Sequence, residues 1–338
     1  MTITNKLVLP ANAVGRDLII GDLHGCFDEL MELLAHVDFN TLTDRLFSVG
    51  DLIDRGPKSK ECIDLLTKPW FYATLGNHEQ LLLKYVQRPY GDDAVIWWQN
   101  GANWAIDLRS YGGPQPVSHE QLRQFALMIE IKMPLVIVVG EGEQRFNILH
   151  AQLNKLKPYT GKICTSLEEM MLSASEDDTV GSDEDIDSEQ FNTYNILWSR
   201  NLVVQSQAGI DHTMRTAILD NPQPLSKTFV GHTPVRNVTC YKSHYFIDTG
   251  CVYTLGPGTS KEQFYGGLTI VNAHTNEYVT YKPGLNQFTD WTPLPLPSNP
   301  VNISLRKAPL EETNTTSTTN LVLGNENDQS PIAGRNKS

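Results

Sequence analysis

The sequence predicts an α/β fold, and three observations indicate it. Short apolar runs alternate with amphipathic stretches through the first third of the chain, as expected for alternating strands and helices. Each of the first three predicted strands ends in a Gly-Asp or Gly-Asn pair. Further short β-rich runs, bounded by turn residues, follow in the second half. We interpret these later runs as a second sheet.

Three strand-helix units fill the first part of the chain. The predicted strands span residues 17–20, 45–49 and 71–75, and the helices after them span residues 27–37, 59–66 and 79–86. In the first helix Leu30, Leu33 and Leu34 recur at helical spacing, so they form one apolar face. The units share a plan and not a repeated sequence, which indicates a repeated architecture.

The remaining chain supplies further helices and strands. Helical regions are predicted near residues 94–108 and 120–131, and strands at 135–139, 146–149, 228–230, 245–247, 268–271 and 278–281. The Gly-Glu-Gly-Glu run at 140–143 predicts a hairpin between the first two of these strands. Trp97, Trp98 and Trp104 are expected to be core side chains.

Composition divides the chain into a folded domain and two polar segments. Residues 1–285 are expected to form the domain, interrupted by an acidic, Ser-rich loop at about 173–190. From 286 to 338 the chain is rich in Pro, Asn and Thr without apolar periodicity, which predicts a disordered tail.

Overall composition excludes several classes of protein. The hydrophobic set makes up 40% of the 338 residues, which excludes global disorder. A net charge of −12 argues against nucleic acid as a partner. No apolar run has the length of a signal peptide or a membrane span. Five scattered cysteines without a CxxC pair indicate a reducing compartment, so we expect a cytoplasmic protein without a membrane partner.

Polar side chains follow the first three strands at the points where they end. These are Asp22, His24, Asp51 and Asn77, in turns that also contain glycine. The carboxyl ends of strands in an open α/β sheet share one edge, so these side chains are expected to meet. Oxygen and imidazole donors without thiolates suit a divalent first-row metal and not a structural zinc site.

Two histidines in the second half are candidates for further metal ligands. His150 and His232 each follow a predicted strand and precede a break in the pattern. Two metal ions would need more ligands than the first half supplies. The histidines without this context are expected to be structural: His36, His119, His212, His244 and His274.

These motifs resemble those of the calcineurin-like metallophosphoesterases, and specifically the PPP-type, lambda-like Ser/Thr protein phosphatases of bacteria and phages. The family patterns GD-x-HG, GD-x-x-DRG and GNHE match residues 21–25, 50–56 and 76–79. The family's later motifs are a histidine at a strand end and the sequence Gly-His-Thr-Pro. They match His150 and residues 231–234. The similarity covers approximately residues 15–282.

The resemblance implies a four-layer αββα sandwich with two mixed β-sheets and two divalent metal ions. Manganese is the first expectation, with iron and zinc as alternatives. Asp51 and a hydroxide would bridge the ions. Asp22 and His24 would hold the first ion. The second would be held by Asn77, His150 and His232.

The resemblance also implies the catalytic groups. His78 would donate a proton to the leaving group and Asp54 would orient it, while Arg55 and Arg200 would bind the phosphate. The implied enzyme is a serine/threonine protein phosphatase that hydrolyses phosphomonoesters by direct attack of the bridging hydroxide, with a phosphoprotein or phosphopeptide as substrate. Gln152 departs from the family pattern, because lambda-type relatives have Asp there.

Two other functions are compatible with the same fold. A symmetrical diadenosine tetraphosphate hydrolase shares the same turns, although residues 69–71 and 197–200 favour the protein phosphatase. A non-catalytic binding module is expected to have lost ligands, whereas every inferred ligand is present here.

Overall fold

Two mixed β-sheets form the centre of the protein. The computed structural model describes residues 6–89, 91–109, 113–153, 196–200, 226–241, 243–255 and 266–296. The strands in it are β1 (Lys6–Leu9), β2 (Asp17–Ile20), β3 (Arg45–Ser48), β4 (Phe71–Ala73), β5 (Val136–Val139), β6 (Phe146–Leu149), β7 (Lys227–Val230), β8 (Thr239–Tyr241), β9 (His244–Phe246), β10 (Leu268–Asn272), β11 (Glu277–Lys282), β12 (Gln287–Phe288) and β13 (Thr292–Pro293). The helices are α1 (Phe27–His36), α2 (Ser59–Asp64), α3 (Asn77–Gln87), α4 (Asp92–Gln99) and α5 (His119–Lys132).

The first sheet has the order β12-β11-β10-β2-β3-β4, and β13 also pairs with β11. β2, β3 and β4 run parallel, whereas β10 runs antiparallel to both β2 and β11. The second sheet has the order β1-β5-β6-β7-β9-β8, in which β6, β7 and β9 are parallel. The interpretation of all later strands as one second sheet is therefore wrong, because β10 and β11 extend the sheet of β2.

Successive side chains of a strand point to opposite faces of its sheet, and this alternation produces four layers. Leu18 and Ile20 of β2 belong to the apolar cluster that includes the helices, while Ile19 belongs to the cluster shared by the two sheets. In that second cluster the rings of Phe47 and Phe146 meet edge to face across the sheets, with centroids 6.2 Å apart. Fully burying a side chain such as Phe47 contributes about 1.5 to 3 kcal/mol. The predicted four-layer sandwich with two mixed sheets is confirmed.

Most local predictions are confirmed, with differences at the ends and edges. The hairpin of β5 and β6 forms as predicted, and α3 begins at Asn77, two residues earlier than expected. The unpredicted strands are β1, β8, β12 and β13. Two of them lie beyond residue 285, so the first sheet continues past the predicted end of the domain.

Three sequence predictions concern parts of the chain outside the described residues. These are the acidic loop at 173–190, the structural role of His212 and the tail from residue 297 onward. Within the described part of the chain, every helix is too short or too polar to cross a membrane.

Candidate metal centre

The polar side chains predicted from the sequence meet where strands of both sheets end. Asp22 follows β2, Asp51 follows β3, His150 follows β6 and His232 follows β7. The turns are joined by backbone hydrogen bonds. The N–H of His24 donates to the carbonyl of Asp51 at 2.8 Å, and that of Gly231 donates to the carbonyl of His150 at 2.8 Å. The two sheets therefore contribute to one site.

Several residues of this site have a left-handed backbone conformation. The φ angles are 44° at His24, 50° at Asp51, 73° at Asp54, 68° at Arg55 and 65° at His232. Such conformations cost of order 1 to 3 kcal/mol each in residues with a β-carbon, and they persist only where the surroundings hold them. They give the sharp turns that point these side chains inward.

Two glycines make room for the carboxylates. A β-carbon at Gly231 would overlap Oδ1 of Asp22, and one at Gly76 would overlap Oδ1 of Asp51. The glycines after the strands are thus required by close approach of side chains as well as by turn geometry.

His150 turns its Nε2 toward Asn77 and Asp51. Its Nδ1 lies 2.9 Å from the carbonyl oxygen of Val49, so Nδ1 carries a proton and donates it there. Its Nε2 lies 2.8 Å from Oδ1 of Asn77 and 3.4 Å from Oδ2 of Asp51. Three atoms of types that bind metal ions thus face each other at this point.

His232 adds a fourth acceptor to the same group. Its Nε2 lies 3.0 Å from the carbonyl oxygen of Trp198, which fixes the proton on Nε2. The lone pair of Nδ1 therefore faces Oδ1 of Asn77 at 2.9 Å. Burial lowers the pKa of His232 well below its usual value, with further lowering by His150 and Arg200, so the ring is neutral. Nitrogen and oxygen atoms gathered in this way form an environment that a divalent cation can complete.

A second group of acceptors forms around His24. Its Nδ1 donates to the carbonyl of Ile53 at 2.8 Å, so Nε2 is unprotonated. That nitrogen lies 3.5 Å from Oδ2 of Asp51 and 3.9 Å from Oδ2 of Asp22. Burial, and after it Arg55 and His78, lower the pKa of His24 well below its usual value.

Asp51 belongs to both groups. Its Oδ1 accepts the backbone N–H of His78 at 3.0 Å, while its Oδ2 faces His24 and His150. Each of the sets His24, Asp51, His78 and Asp51, His150, His232 has donor atoms close enough to hold one metal ion. The nitrogen and oxygen donors fit divalent first-row cations.

His78, Asp54 and Arg55 form a chain of contacts beside the first group. Nδ1 of His78 lies 2.6 Å from Oδ2 of Asp54, and both side chains are fully buried. The guanidinium of Arg55 donates to Nε2 of His24 at 2.6 Å and to Nε2 of His78 at 2.9 Å. The ring of Tyr253 packs against that guanidinium, and Cζ of Arg55 lies 5.7 Å from the centroid of the ring.

Arg200 reaches the opposite group. Its Nη1 donates to the carbonyl of His232 at 2.9 Å and to Oγ1 of Thr233 at 3.0 Å, and the residue is exposed to solvent. The structure therefore brings all ten predicted site residues into one region. Gln152, which departs from the family pattern, is buried two residues after His150.

Two buried carboxylates of the site were not predicted. Glu79 accepts backbone N–H groups of Asp51, Leu52, Ile53 and Gly76 at 2.8 to 3.3 Å. Burial, followed by repulsion from Asp51, raises the pKa of Glu79 to about 8. The signal was present, because Glu79 stands three residues after the helix-capping Gly76.

Asp248 is the other unpredicted carboxylate. It follows β9, and burial raises its pKa to about 6. After burial, repulsion by Asp248 and Asp51 is what raises the pKa of Asp22 well above its usual value. Asp248 follows a strand as the predicted residues do, but its glycine, Gly250, comes after the carboxylate and not before it, so the Gly-Asp pattern of the other turns is absent.

The tryptophans predicted as core side chains also contact the site. Trp97 is fully buried as expected. However, Nε1 of Trp97 donates to Oδ2 of Asp54 at 2.8 Å, and Nε1 of Trp104 donates to Oδ1 at 2.6 Å. Their role is thus more than packing.

The sequence profile of the family described as Calcineurin-like phosphoesterase matches residues 16–278, which is most of the chain and includes every predicted site residue. The chain belongs to the calcineurin-like phosphoesterases. As a member of this family of phosphoester hydrolases, it has the fold and the kind of metal-binding side chains that its turns predicted.

Individual calcineurin-like phosphoesterases resemble the chain over different lengths. Serine/threonine-protein phosphatase 2 of Salmonella typhimurium is 29% identical over 235 residues, covering 69% of this chain and 86% of that protein. Serine/threonine-protein phosphatase 1 of the same organism is 29% identical over 238 residues, covering 70% and 86%. A symmetrical bis(5'-nucleosyl)-tetraphosphatase of Actinobacillus pleuropneumoniae is 51% identical over 67 residues, which cover 19% of this chain and 25% of that protein.

Proposed function

We propose that this protein is a metal-dependent phosphomonoesterase that hydrolyses phosphoserine and phosphothreonine in proteins. The observation that carries the proposal is the sharing of Asp51 by two groups of nitrogen and oxygen side-chain atoms, with Arg55 and His78 beside them. The length over which the chain resembles two serine/threonine-protein phosphatases supports this substrate class.

In this proposal Asp22, His24 and Asp51 hold one divalent cation. The second is held by Asp51, Asn77, His150 and His232. When bound, two such cations supply a water of lowered pKa and neutralise charge on the phosphoryl oxygens. We propose Mn²⁺ as the cation, with iron and zinc as alternatives, since the donors are nitrogen and oxygen.

The arginines are proposed to bind the phosphate. Arg55 is partly exposed and its two terminal nitrogens point at the histidines of the site. Arg200 reaches the other group from a separate segment of chain. Planar guanidinium groups can each donate two parallel hydrogen bonds to phosphate oxygens, so the pair would orient the phosphoryl group.

His78 is proposed to give its proton to the leaving oxygen of serine or threonine. Asp54 holds Nδ1 of the ring, so Nε2 is the nitrogen that would carry the proton to the leaving oxygen, once Arg55 donates to phosphate and no longer to that Nε2. By distance alone His78 could also be a metal ligand, because it lies near His24 and Asp51. The two roles differ in the expected effect of substitution.

The test is phosphate release from a phosphoserine peptide. Protein stripped of metal with a chelator is expected to be inactive and to regain activity with Mn²⁺. His78→Asn is expected to slow turnover by about 10²- to 10⁴-fold while the metal content stays unchanged. His36→Asn, a change at an exposed histidine stacked on Phe288, serves as the control. Absence of phosphate release from phosphopeptides and aryl phosphates alike would contradict the proposal.

A symmetrical diadenosine tetraphosphate hydrolase is the second candidate. The short segment that is 51% identical to such an enzyme favours it. Release of ADP from diadenosine tetraphosphate, compared with release of phosphate from a phosphopeptide at equal enzyme concentration, distinguishes the two. We expect the phosphopeptide to give the larger kcat/KM.

We further propose that the protein acts in the cytoplasm on phosphoproteins or phosphopeptides and not on nucleic acid or membranes. All four described cysteines are free thiols, as suits a reducing compartment: Cys26, Cys62, Cys240 and Cys251. Localisation of a fluorescent fusion tests the compartment.

A further inference from the structure

Two tryptophans bind the carboxylate that contacts His78. Nε1 of Trp97 lies 2.8 Å from Oδ2 of Asp54, and Nε1 of Trp104 lies 2.6 Å from Oδ1, so each oxygen receives one indole N–H. The two rings meet edge to face, with centroids 6.5 Å apart and planes at 89°. This perpendicular packing directs the two N–H groups at different oxygens of one carboxylate.

The chain between these tryptophans also fixes the backbone at Asp54 and Arg55. The N–H of Arg55 donates to the carbonyl of Gly101 at 3.1 Å. Gly101 has a φ of 104°, and a β-carbon there would lie 2.7 Å from the backbone nitrogen of Arg55. Since Asp54 and Arg55 are both left-handed, the segment 97–104 holds a strained turn by its backbone and by its side chains.

A carboxylate held by one histidine alone would be free to rotate. The terminal torsion of Asp has a broad energy profile, so a single hydrogen bond does not set the plane of the oxygens. Two further N–H donors set that plane, and they stabilise the fully buried anion. The position and direction of the His78 ring then follow from those of Asp54.

We propose that Trp97 and Trp104 are positioning residues for proton transfer to the leaving group. They act through Asp54 on His78. The inference rests on the proposed function, because it takes His78 as the proton donor. It predicts that loss of either indole N–H impairs hydrolysis only where the leaving oxygen needs a proton.

The neighbouring Trp98 provides a matched control. It lies on the same helix and is half-buried, with the guanidinium of Arg109 over its ring at 6.0 Å. Among the described residues its Nε1 has no hydrogen-bond partner. Trp98→Phe therefore removes an indole N–H without touching Asp54.

The experiment compares two phosphate esters across single Trp→Phe variants loaded with Mn²⁺. Phenyl phosphate has a basic leaving oxygen that needs a proton, whereas 2,4-dinitrophenyl phosphate does not. For Trp97→Phe and Trp104→Phe we expect kcat on phenyl phosphate to fall by about 10- to 100-fold, part of the range for general acid catalysis. The kcat on 2,4-dinitrophenyl phosphate and the metal content are expected to stay within about twofold of wild type. Trp98→Phe is expected to leave both substrates unchanged.

The outcomes separate this inference from the proposed function. Equal losses on both esters would show a structural role only and would overturn the inference, as would unchanged kcat on both. If Trp97→Phe does not fold, Trp104→Phe decides, because its ring is only half-buried. If the wild type hydrolyses neither ester, or if His78→Asn lowers kcat on phenyl phosphate no more than on 2,4-dinitrophenyl phosphate, the proposed function itself fails.

Discussion

Glu79 accepts the backbone N–H of Asp51 at 3.0 Å, and so holds the turn that carries the carboxylate shared by both acceptor groups. The same carboxylate accepts the N–H groups of Leu52, Ile53 and Gly76. A single buried side chain thus joins the end of β3 to the start of α3. The interaction is local in space but crosses 28 residues of sequence.

Glu79→Gln is predicted to weaken both folding and metal binding. Above a pH of about 8, where Glu79 is ionised, both of its oxygens accept N–H groups. A glutamine amide has one accepting oxygen, so its NH₂ group would face N–H donors and leave them unsatisfied. We expect the free energy of unfolding to fall by at least about 2 kcal/mol and Mn²⁺ affinity to fall by about 10- to 100-fold. Denaturant titration and calorimetry measure the two. Glu61→Gln on the exposed side of α2 is the control, and equal effects of both substitutions would contradict this role of Glu79.

The predicted site came from repeated turns at strand ends, which is a local signal. Asp22, Asp51 and Asn77 each follow a short apolar run and a glycine, and parallel pairing of β2, β3 and β4 necessarily brings these positions together. Asp248 also follows an apolar run, but no glycine precedes it, and it lies among strands whose arrangement was not predicted. The indoles of Trp97 and Trp104 had no such signal, since their partner lies 43 and 50 residues away.

The sheet that each strand joins was also not predictable from local sequence. The sequence of β10 marks it as a strand but does not specify that it pairs with β2 and not with β9, because pairing depends on contacts between distant segments. β1 was missed for another reason. Its apolar run covers only residues 7–9 and ends at Pro10, which is too short to distinguish a strand from a loop by sequence alone.

Gly231→Ala is predicted to disturb the site through Asp22. The added methyl group would overlap Oδ1 of that carboxylate, which also accepts the backbone N–H of His232 at 3.2 Å. We expect a loss of about 1 to 3 kcal/mol in stability together with weaker Mn²⁺ binding. Gly91→Ala is the control, since a β-carbon there makes only ordinary contacts. If Gly231→Ala bound Mn²⁺ as tightly as the wild type, this would contradict the predicted overlap between the added methyl group and Asp22.

Asp44 is predicted to contribute stability that depends on pH. Burial alone would raise the pKa of Asp44, but hydrogen bonds from Arg16 and Asn40 outweigh burial and lower it. A carboxyl group with a folded-state pKa below the unfolded value of about 3.9 stabilises the protein above that pH. The contribution disappears as the pH falls through the folded-state pKa.

Asp44→Asn is accordingly expected to cost about 1 to 3 kcal/mol at pH 7. Its difference from wild type is expected to shrink as the pH falls below about 4. Urea titrations across this range measure the difference. Asp28→Asn, at a solvent-exposed pair with Lys58, is the control and is expected to cost much less than Asp44→Asn at pH 7. A difference for Asp44→Asn that is constant down to pH 2 would refute the assignment.

The central claim is that two divalent cations share Asp51, and electron paramagnetic resonance of the Mn²⁺-loaded protein tests it most directly. We predict the signal of an exchange-coupled pair at two Mn²⁺ per chain, and its replacement by the signal of isolated Mn²⁺ in Asp51→Asn. Isolated Mn²⁺ in the wild type at full loading, or a coupled pair that persists in Asp51→Asn, would contradict the claim.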